Sequence, residues 1–333
     1  MSGSFAWPWQ LRRLGVLGMN ARNALYIGPN NPRHLYPRVD DKLISKQLAI
    51  DAGIAVPELY GVIATQYEAR RIDQIVAGHD DFVIKPARGA GGEGIVVITG
   101  RIGDAYRKAS GVPLSTDDLR HHISNILSGM YSLGGQPDRA MVEYRVSPHP
   151  IFDAIAYHGV PDVRVIVYKG FPVLAMLRLP TRMSDGKANL HQGAIGAGID
   201  IASGQTTHGV WRNAGVTLHP DTLCPIAGVQ VPDWETVLSL SARAYELTEL
   251  GYLGADIVID RQRGALTLEL NARPGLSIQI ANRIGLRARL QTVDREAPTG
   301  AGAAERIAFA QQRFGVAIPT PTQTPAQAPA PTP

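Results

Sequence analysis

Hydrophobic positions along the chain fall into short β-prone runs more often than into helical stripes. Residues 82–85 and 95–98 are two such runs, separated by Pro86-Ala87-Arg88-Gly89-Ala90-Gly91-Gly92-Glu93-Gly94, which predicts a hairpin around a long glycine-rich loop. Residues 140–144, 163–168 and 172–178 predict further strands. Residues 254–260 and 265–271, joined by a turn over 261–264, predict a second hairpin. Helical signals are fewer. Asp40-Asp41 opens a stretch over 42–52 that Gly53 and Pro57 close, and residues 234–250 run into Gly251. Strands and helices interleave without a regular βαβ repeat, so the expected fold class is α+β with antiparallel sheets in separate lobes, not a doubly wound dinucleotide fold.

Composition adds scale and removes several classes. A chain of 333 residues, 44% hydrophobic and 19% charged, has enough apolar material for two or three joined lobes. Its 33 Lys and Arg against 29 Asp and Glu give a net charge of +4, with no block of like charge to suggest a nucleic-acid arm or a polybasic membrane anchor. Cys224 is the single cysteine, which excludes an internal disulfide and a cysteine-based zinc cluster. No apolar run reaches the roughly 20 residues that span a bilayer, and the aromatic residues 5–9 lead into Arg12 and Arg13 instead of a signal-peptide core. The expected location is the cytoplasm. From about residue 317 the chain is Pro, Ala, Thr and Gln, and that tail is expected to stay disordered.

The second hairpin carries the clearest chemistry. With its turn centred between Gln262 and Arg263, Asp256 stands opposite Glu269, and strand alternation puts Asn271 on the face of Glu269. Two facing carboxylates repel unless something compensates them, and hard oxygen ligands with phosphate suit Mg²⁺. The plainer alternative is a solvated face of a two-stranded ribbon. Lys85 ends a strand at the mouth of the glycine loop, where an ammonium and backbone donors would hold polyphosphate, although the loop lacks Walker A spacing. Glu143 with Tyr144 and Val146 reads as a strand entering an interlobe hinge beside an adenine edge, or as an edge strand with an exposed Glu. Asp162 and Arg164 share a strand face, Arg178 ends the next strand, and Asn189 and His191 sit in a polar loop over 184–194. The remaining histidines show no ligand spacing for zinc.

Taken in order, Lys42 and Lys46, Val-Ile-Lys85-Pro with its glycine loop, Val-Glu143-Tyr, Asp162-x-Arg164, Asn189-Leu-His191-x-Gly193, Asp256 and Glu269-x-Asn271-x-Arg273-Pro-Gly resemble the ATP-grasp superfamily. More narrowly they resemble the RimK-like alpha-L-glutamate ligases, over residues about 38 to 286. The resemblance implies ATP held between two antiparallel sheets, with Lys46 and Lys85 near the phosphates. Arg88, Gly89, Gly91, Gly92 and Gly94 would then belong to the lid, and Glu143, Tyr144 and Val146 to the adenine site. It implies Mg²⁺, or Mn²⁺ in its place, on Asp256, Glu269 and Asn271. Arg164, Arg178 and Arg273 would stabilise the transferring phosphoryl group, with His191 and Asn189 shaping the acceptor side.

The implied division is a short segment over 1–37, an N-terminal lobe over 38–142, a C-terminal lobe over 143–290 and an extension over 291–333. The implied activity is carboxylate–amine ligation through an acyl phosphate, with glutamate or a similar amino acid as one substrate and a small molecule or peptide as the other. An ATP-grasp kinase and a non-catalytic ATP-binding module are the alternatives. Only about 40 residues precede Lys42, where typical members carry a whole substrate-binding domain.

Overall fold

The computed structural model describes residues 7–89 and 91–315. It contains two sheets in which every strand pair is antiparallel. The first is built from β1 (Leu59–Ile63), β2 (Phe82–Pro86), β3 (Val96–Ile102), β4 (Ala105–Lys108), β5 (Pro113–Leu114) and β6 (Ala140–Glu143), in the order β1-β6-β2-β3-β4-β5. The second comprises β7 (Asp162–Tyr168), β8 (Phe171–Leu179), β9 (Ile195–Ile199), β10 (Thr206–Trp211), β11 (Ala214–Val216), β12 (Tyr252–Asp260) and β13 (Gly264–Asn271). Its order is β11-β10-β9-β8-β7-β12-β13. The α+β class and the glycine-loop hairpin expected from the pattern are both present, with Phe82 paired to Ile98 and Ile84 to Val96.

One helix explains how the smaller sheet acquires its core. Thr116–Leu127 begins with a capping box in which the Ser115 hydroxyl accepts from Asp118 N and the Asp118 carboxylate accepts from Ser115 N at 2.9 Å. Leu119, Ile123 and Ile126 then recur at helical spacing and are fully buried with Ile63, Phe82, Ile84, Ile98 and Val142. Truncating Ile123 to Ala would cost about 2–5 kcal/mol, because the close-packed site cannot collapse fully around the hole.

The larger core gathers the second sheet and helix Trp234–Thr248, which stops where Glu249 turns left-handed (φ 57°), two residues before the expected Gly251. Residues 17–54 also pack into this core, through Leu17, Tyr26, Ile27, Leu35, Val39, Ala49 and Ile54. Val39, Ala49 and Ile54 thus join the larger core, although the sequence counted residues 38–58 with the glycine-loop lobe, while Lys42 and Lys46 of the same stretch reach Gly89 and Glu143 of the first sheet's side. The reason is the spacing of apolar side chains on helix Lys42–Asp51, whose Ala49 turns toward the larger sheet. Val293, Ile307, Ala310 and Phe314 likewise join the larger core, so the extension is folded at least to residue 315. The tail expected to be disordered from about 317 lies outside the described residues.

Candidate active site

Helix Lys42–Asp51 opens where Asp41 Oδ1 accepts from the backbone N–H groups of Leu43 and Ile44. The cap sets the direction of its first turn, and Lys42 and Lys46, four residues apart, fall on one face. That face looks onto a narrow cleft between the sheets, lined by Lys42, Lys46 and Lys85 from one side and Thr267, Glu269 and Leu270 from the other.

Lys46 and Lys85 flank one buried carboxylate. Glu143 Oε2 lies 2.8 Å from Lys46 Nζ and Glu143 Oε1 lies 2.5 Å from Lys85 Nζ, with all three side chains at most 8% exposed. Burial alone would raise the Glu143 carboxyl, but the two ammoniums outweigh it and hold it below its ordinary value. Burial lowers Lys46, with Glu143 opposing that shift and Lys85 adding to it. Two cations and one anion leave a single positive charge at the cleft wall. Glu143 is thus committed to its lysines and does not present a free carboxylate to an adenine, as the sequence suggested.

Its neighbours are committed as well. Tyr144 donates its hydroxyl to Asp260 Oδ2 at 3.1 Å and lies under Arg263, and Val146 is buried against Val258 and Leu266. Asp260 also accepts from the backbone of Ser147, Gln262 and Arg263, so it pins the interlobe connection onto the β12–β13 turn. The Tyr144 and Val146 side chains thus help hold the connection against the β12–β13 hairpin.

At the base of the glycine loop, Lys42 N–H donates to Ala87 O at 2.9 Å and Lys42 Nζ to Gly89 O at 2.6 Å. Arg88, expected in the lid at the cofactor, pairs with Asp41 (Nε to Oδ2, 3.1 Å), which also takes Arg139 at 2.6 Å. Gly91, Gly92 and Gly94 are left-handed, with φ of 67°, 79° and 71°, and a Cβ at Gly94 would strike the Tyr131 ring at 2.5 Å. The loop backbone is shaped for turning and close approach.

Across the cleft, Asp256 is paired with Glu269 on β13 and Arg164 on β7. The facing carboxylates arise differently from the expected register. The hairpin tip pairs Asp260 with Gly264, and a bulge at Leu268 shifts β13 by one residue so that Glu269 still arrives opposite Asp256. What compensates Asp256 is also different. Arg164 donates to it twice, at 2.7 and 2.5 Å, Arg178 at 2.8 Å, and Asn271 Nδ2 at 3.3 Å. Burial would raise the Asp256 carboxyl, yet Arg164 and Arg178 hold it below its ordinary value. The compensation expected from a metal is thus supplied to Asp256 by Arg164, Arg178 and Asn271.

Arg178 also grips Asp162, through Nη2 to Oδ2 at 2.6 Å and through Nε to Oδ1. Burial, only partly offset by Arg178 and reinforced by Asp256, pushes Asp162 up to about 6. Glu269 is the freer carboxylate, 35% exposed, with Lys42 Nζ 3.4 Å from its Oε1. Asn271 donates through its nitrogen, which turns its carbonyl oxygen away from Asp256. Among the described residues no three His, Cys, Asp or Glu side chains form a metal-holding group. Glu269 and Asn271 still fit Mg²⁺, which takes one or two protein oxygens and completes its shell with phosphates and water.

Three expected residues stand outside these contacts. Asn189 caps a short turn by accepting from His191 N at 3.0 Å, and His191 is exposed. Arg273 is exposed with its guanidinium 5.0 Å from the Tyr36 ring centroid. Sequence reasoning had placed Lys46 at the phosphates, whereas Lys42 is the lysine reaching both loop and Glu269. Their shared helix face was the only signal, and it does not choose between them.

Solved structures similar to this chain include the ATP-grasp ligase PsnB complexed with minimal precursor, 18% identical, covering 80% of this chain and 62% of that one with a TM-score of 0.42. D-alanyl-alanine synthetase A from Vibrio cholerae is 12% identical, with 84% and 66% covered and a TM-score of 0.44. D-cycloserine synthetase DcsG is 14% identical, with 85% and 73% covered and a TM-score of 0.40. The chain spans about three fifths of the length of PsnB. No curated protein matches it. A family model described as sugar-transfer associated ATP-grasp matches residues 21–295, most of the chain, and the protein belongs to that ATP-grasp family.

Proposed function

We propose that the protein is an ATP- and magnesium-dependent ligase that activates a carboxylate and joins it to an amine. The observation that carries this reading is the cleft at which Lys42 of helix Lys42–Asp51 and Lys85 of β2 face Glu269 of β13. Anionic phosphates meet fixed cations on one wall and a metal-competent carboxylate with Asn271 on the opposite wall. Mg²⁺ bound there would supply charge for the phosphoryl oxygens during transfer. The chain's own residues do the rest. Lys85 and Lys42 would draw the phosphates in, the loop from Gly89 to Gly94 would bring backbone N–H groups over them, and Asp256 would keep Arg164 and Arg178 aligned.

The acceptor chemistry rests on the motif resemblance: a carboxylate would attack the γ-phosphate, and an amine would displace phosphate from the acyl phosphate formed. Glutamate or a similar amino acid remains the proposed substrate, with Mn²⁺ a substitute for Mg²⁺. The test is incubation with Mg-ATP and pooled amino acids and carboxylic acids, read by mass spectrometry. A condensation product formed with ADP supports ligation. A stable phosphorylated product without an amide would assign a kinase, and ATP binding without turnover would assign a binding module.

A further inference from the structure

Residues 1–39 contain five arginines and no Asp or Glu, leaving 28 Lys and Arg against 29 Asp and Glu in the rest of the chain. The whole positive excess therefore lies on this segment, spread too thinly to register as a charge block. The same segment carries the main run of exposed apolar side chains. Trp7, Trp9, Leu14 and Met19 are 50%, 55%, 69% and 63% exposed, and Leu11 and Leu25 join them.

Helix Pro8–Arg13 buries none of its residues. Trp7 and Leu14 cap this helix at its two ends and Leu11 lies within it, and Trp9 stacks on Trp7 with ring centroids 4.9 Å apart. At 100° per residue Trp9 falls between Arg12 and Arg13, on the side opposite Leu11. An ordinary surface helix turns its apolar side chains toward its own core; this one buries none of them.

The segment is nevertheless held firmly. Leu17 exchanges backbone hydrogen bonds with the Gln279 side chain at 2.8 and 3.0 Å, Arg287 N–H donates to Gly15 O at 3.0 Å, and Arg22 Nη1 donates to Pro274 O at 2.7 Å. Gly285 accommodates this contact because a Cβ there would meet Leu14 O at 2.3 Å. The exposed aromatic and aliphatic side chains of residues 7–14 thus adjoin an anchored segment at Gly15, Leu17 and Arg22.

We propose that this N-terminal face docks on an anionic phospholipid surface. Tryptophan rings favour the headgroup level, Leu and Met enter the acyl boundary, and arginines reach the phosphates of the lipid. A protein partner fits less well, because the core of a protein interface is depleted of charge and its rim mixes both signs, whereas the exposed unpaired charges that the described residues of this segment contribute are Arg12, Arg13 and Arg33, Arg22 being buried and Arg38 paired with Glu249. Among the described residues no helix is long and apolar enough to cross a membrane, so the contact lies in the interface plane.

The experiment is cosedimentation of the full chain with phosphatidylglycerol-containing vesicles, with phosphatidylcholine vesicles for comparison. Binding to the anionic vesicles is expected to weaken with added salt. It should fall about tenfold or more in Trp7→Ser/Trp9→Ser and in Arg12→Glu/Arg13→Glu, whose thermal unfolding should match the parent because the helix buries nothing. Absence of binding, equal binding to both vesicle types, or full binding by either variant would overturn the proposal. So would a concentration-dependent dimer that the Trp variant abolishes without any vesicle binding, since the face would then belong to a second copy.

Discussion

Lys42 Nζ donates to the carbonyl of Gly89 at 2.6 Å and stands 3.4 Å from Glu269 Oε1, so one ammonium joins the glycine loop to the candidate metal carboxylate. It is the most exposed of the three cleft lysines, at 18% against 6% for Lys46 and 8% for Lys85. Lys42→Ala is expected to weaken ATP binding by about tenfold or more, a loss of about 1.4 kcal/mol, measured by equilibrium titration. Unchanged affinity would restrict the side chain to tethering Gly89.

Glu143 separates two buried ammoniums, and its removal leaves both without their counter-ion. Glu143→Gln should destabilise the fold by about 3–5 kcal/mol, read from urea unfolding without nucleotide. A change within 0.5 kcal/mol, ordinary for a surface site, would mean that the lysines relax to solvent.

Asp256 makes a related prediction that separates structure from metal binding. Asp256→Asn leaves Arg164 and Arg178 facing a neutral amide, so a loss of about 3–5 kcal/mol is expected even in a metal chelator. Stability equal to the parent in chelator, with a loss only in Mg²⁺, would assign Asp256 to the metal alone.

Asp162 gives the pH dependence a distinctive sign. Between its ordinary 3.8 and its folded value of about 6, the native state binds more protons than the unfolded chain, so this carboxyl's contribution is full below 3.8 and falls as pH rises toward 6. Asp256 and Glu143 act oppositely, being depressed, and their contributions are lost below the ordinary carboxylate range. Unfolding free energies of the parent and Asp162→Asn should therefore diverge in slope between about pH 4 and 6, by on the order of 1–3 kcal/mol in total. Parallel profiles would contradict the raised value.

The elements legible in the sequence were those with local signals. Asp41 with Gly53 bounded a helix, and alternation around Phe82 and Ile98 set a hairpin. The facing of Asp256 and Glu269 was found through a turn half a residue out of place, because the bulge at Leu268 made up the difference. Ion-pair partners were not legible. Whether Arg178 serves Asp162, Asp256 or a substrate depends on which strands lie side by side, and β7, β8 and β12 are separated by up to about 90 residues of sequence. For the same reason Lys46 could not be distinguished from Lys42 until β2 and β6 had placed Lys85 and Glu143 beside it.

The most direct test of the central claim is release of ADP and phosphate from Mg-ATP, with a mixed pool of carboxylic acids and amines, by the parent and by Glu269→Ala. The parent is expected to turn over only when both an acid and an amine are present, and the variant to lose about 100-fold or more while remaining folded. Turnover by Glu269→Ala at the parental rate would contradict the assignment of the metal to Glu269 and, with it, the proposed active site.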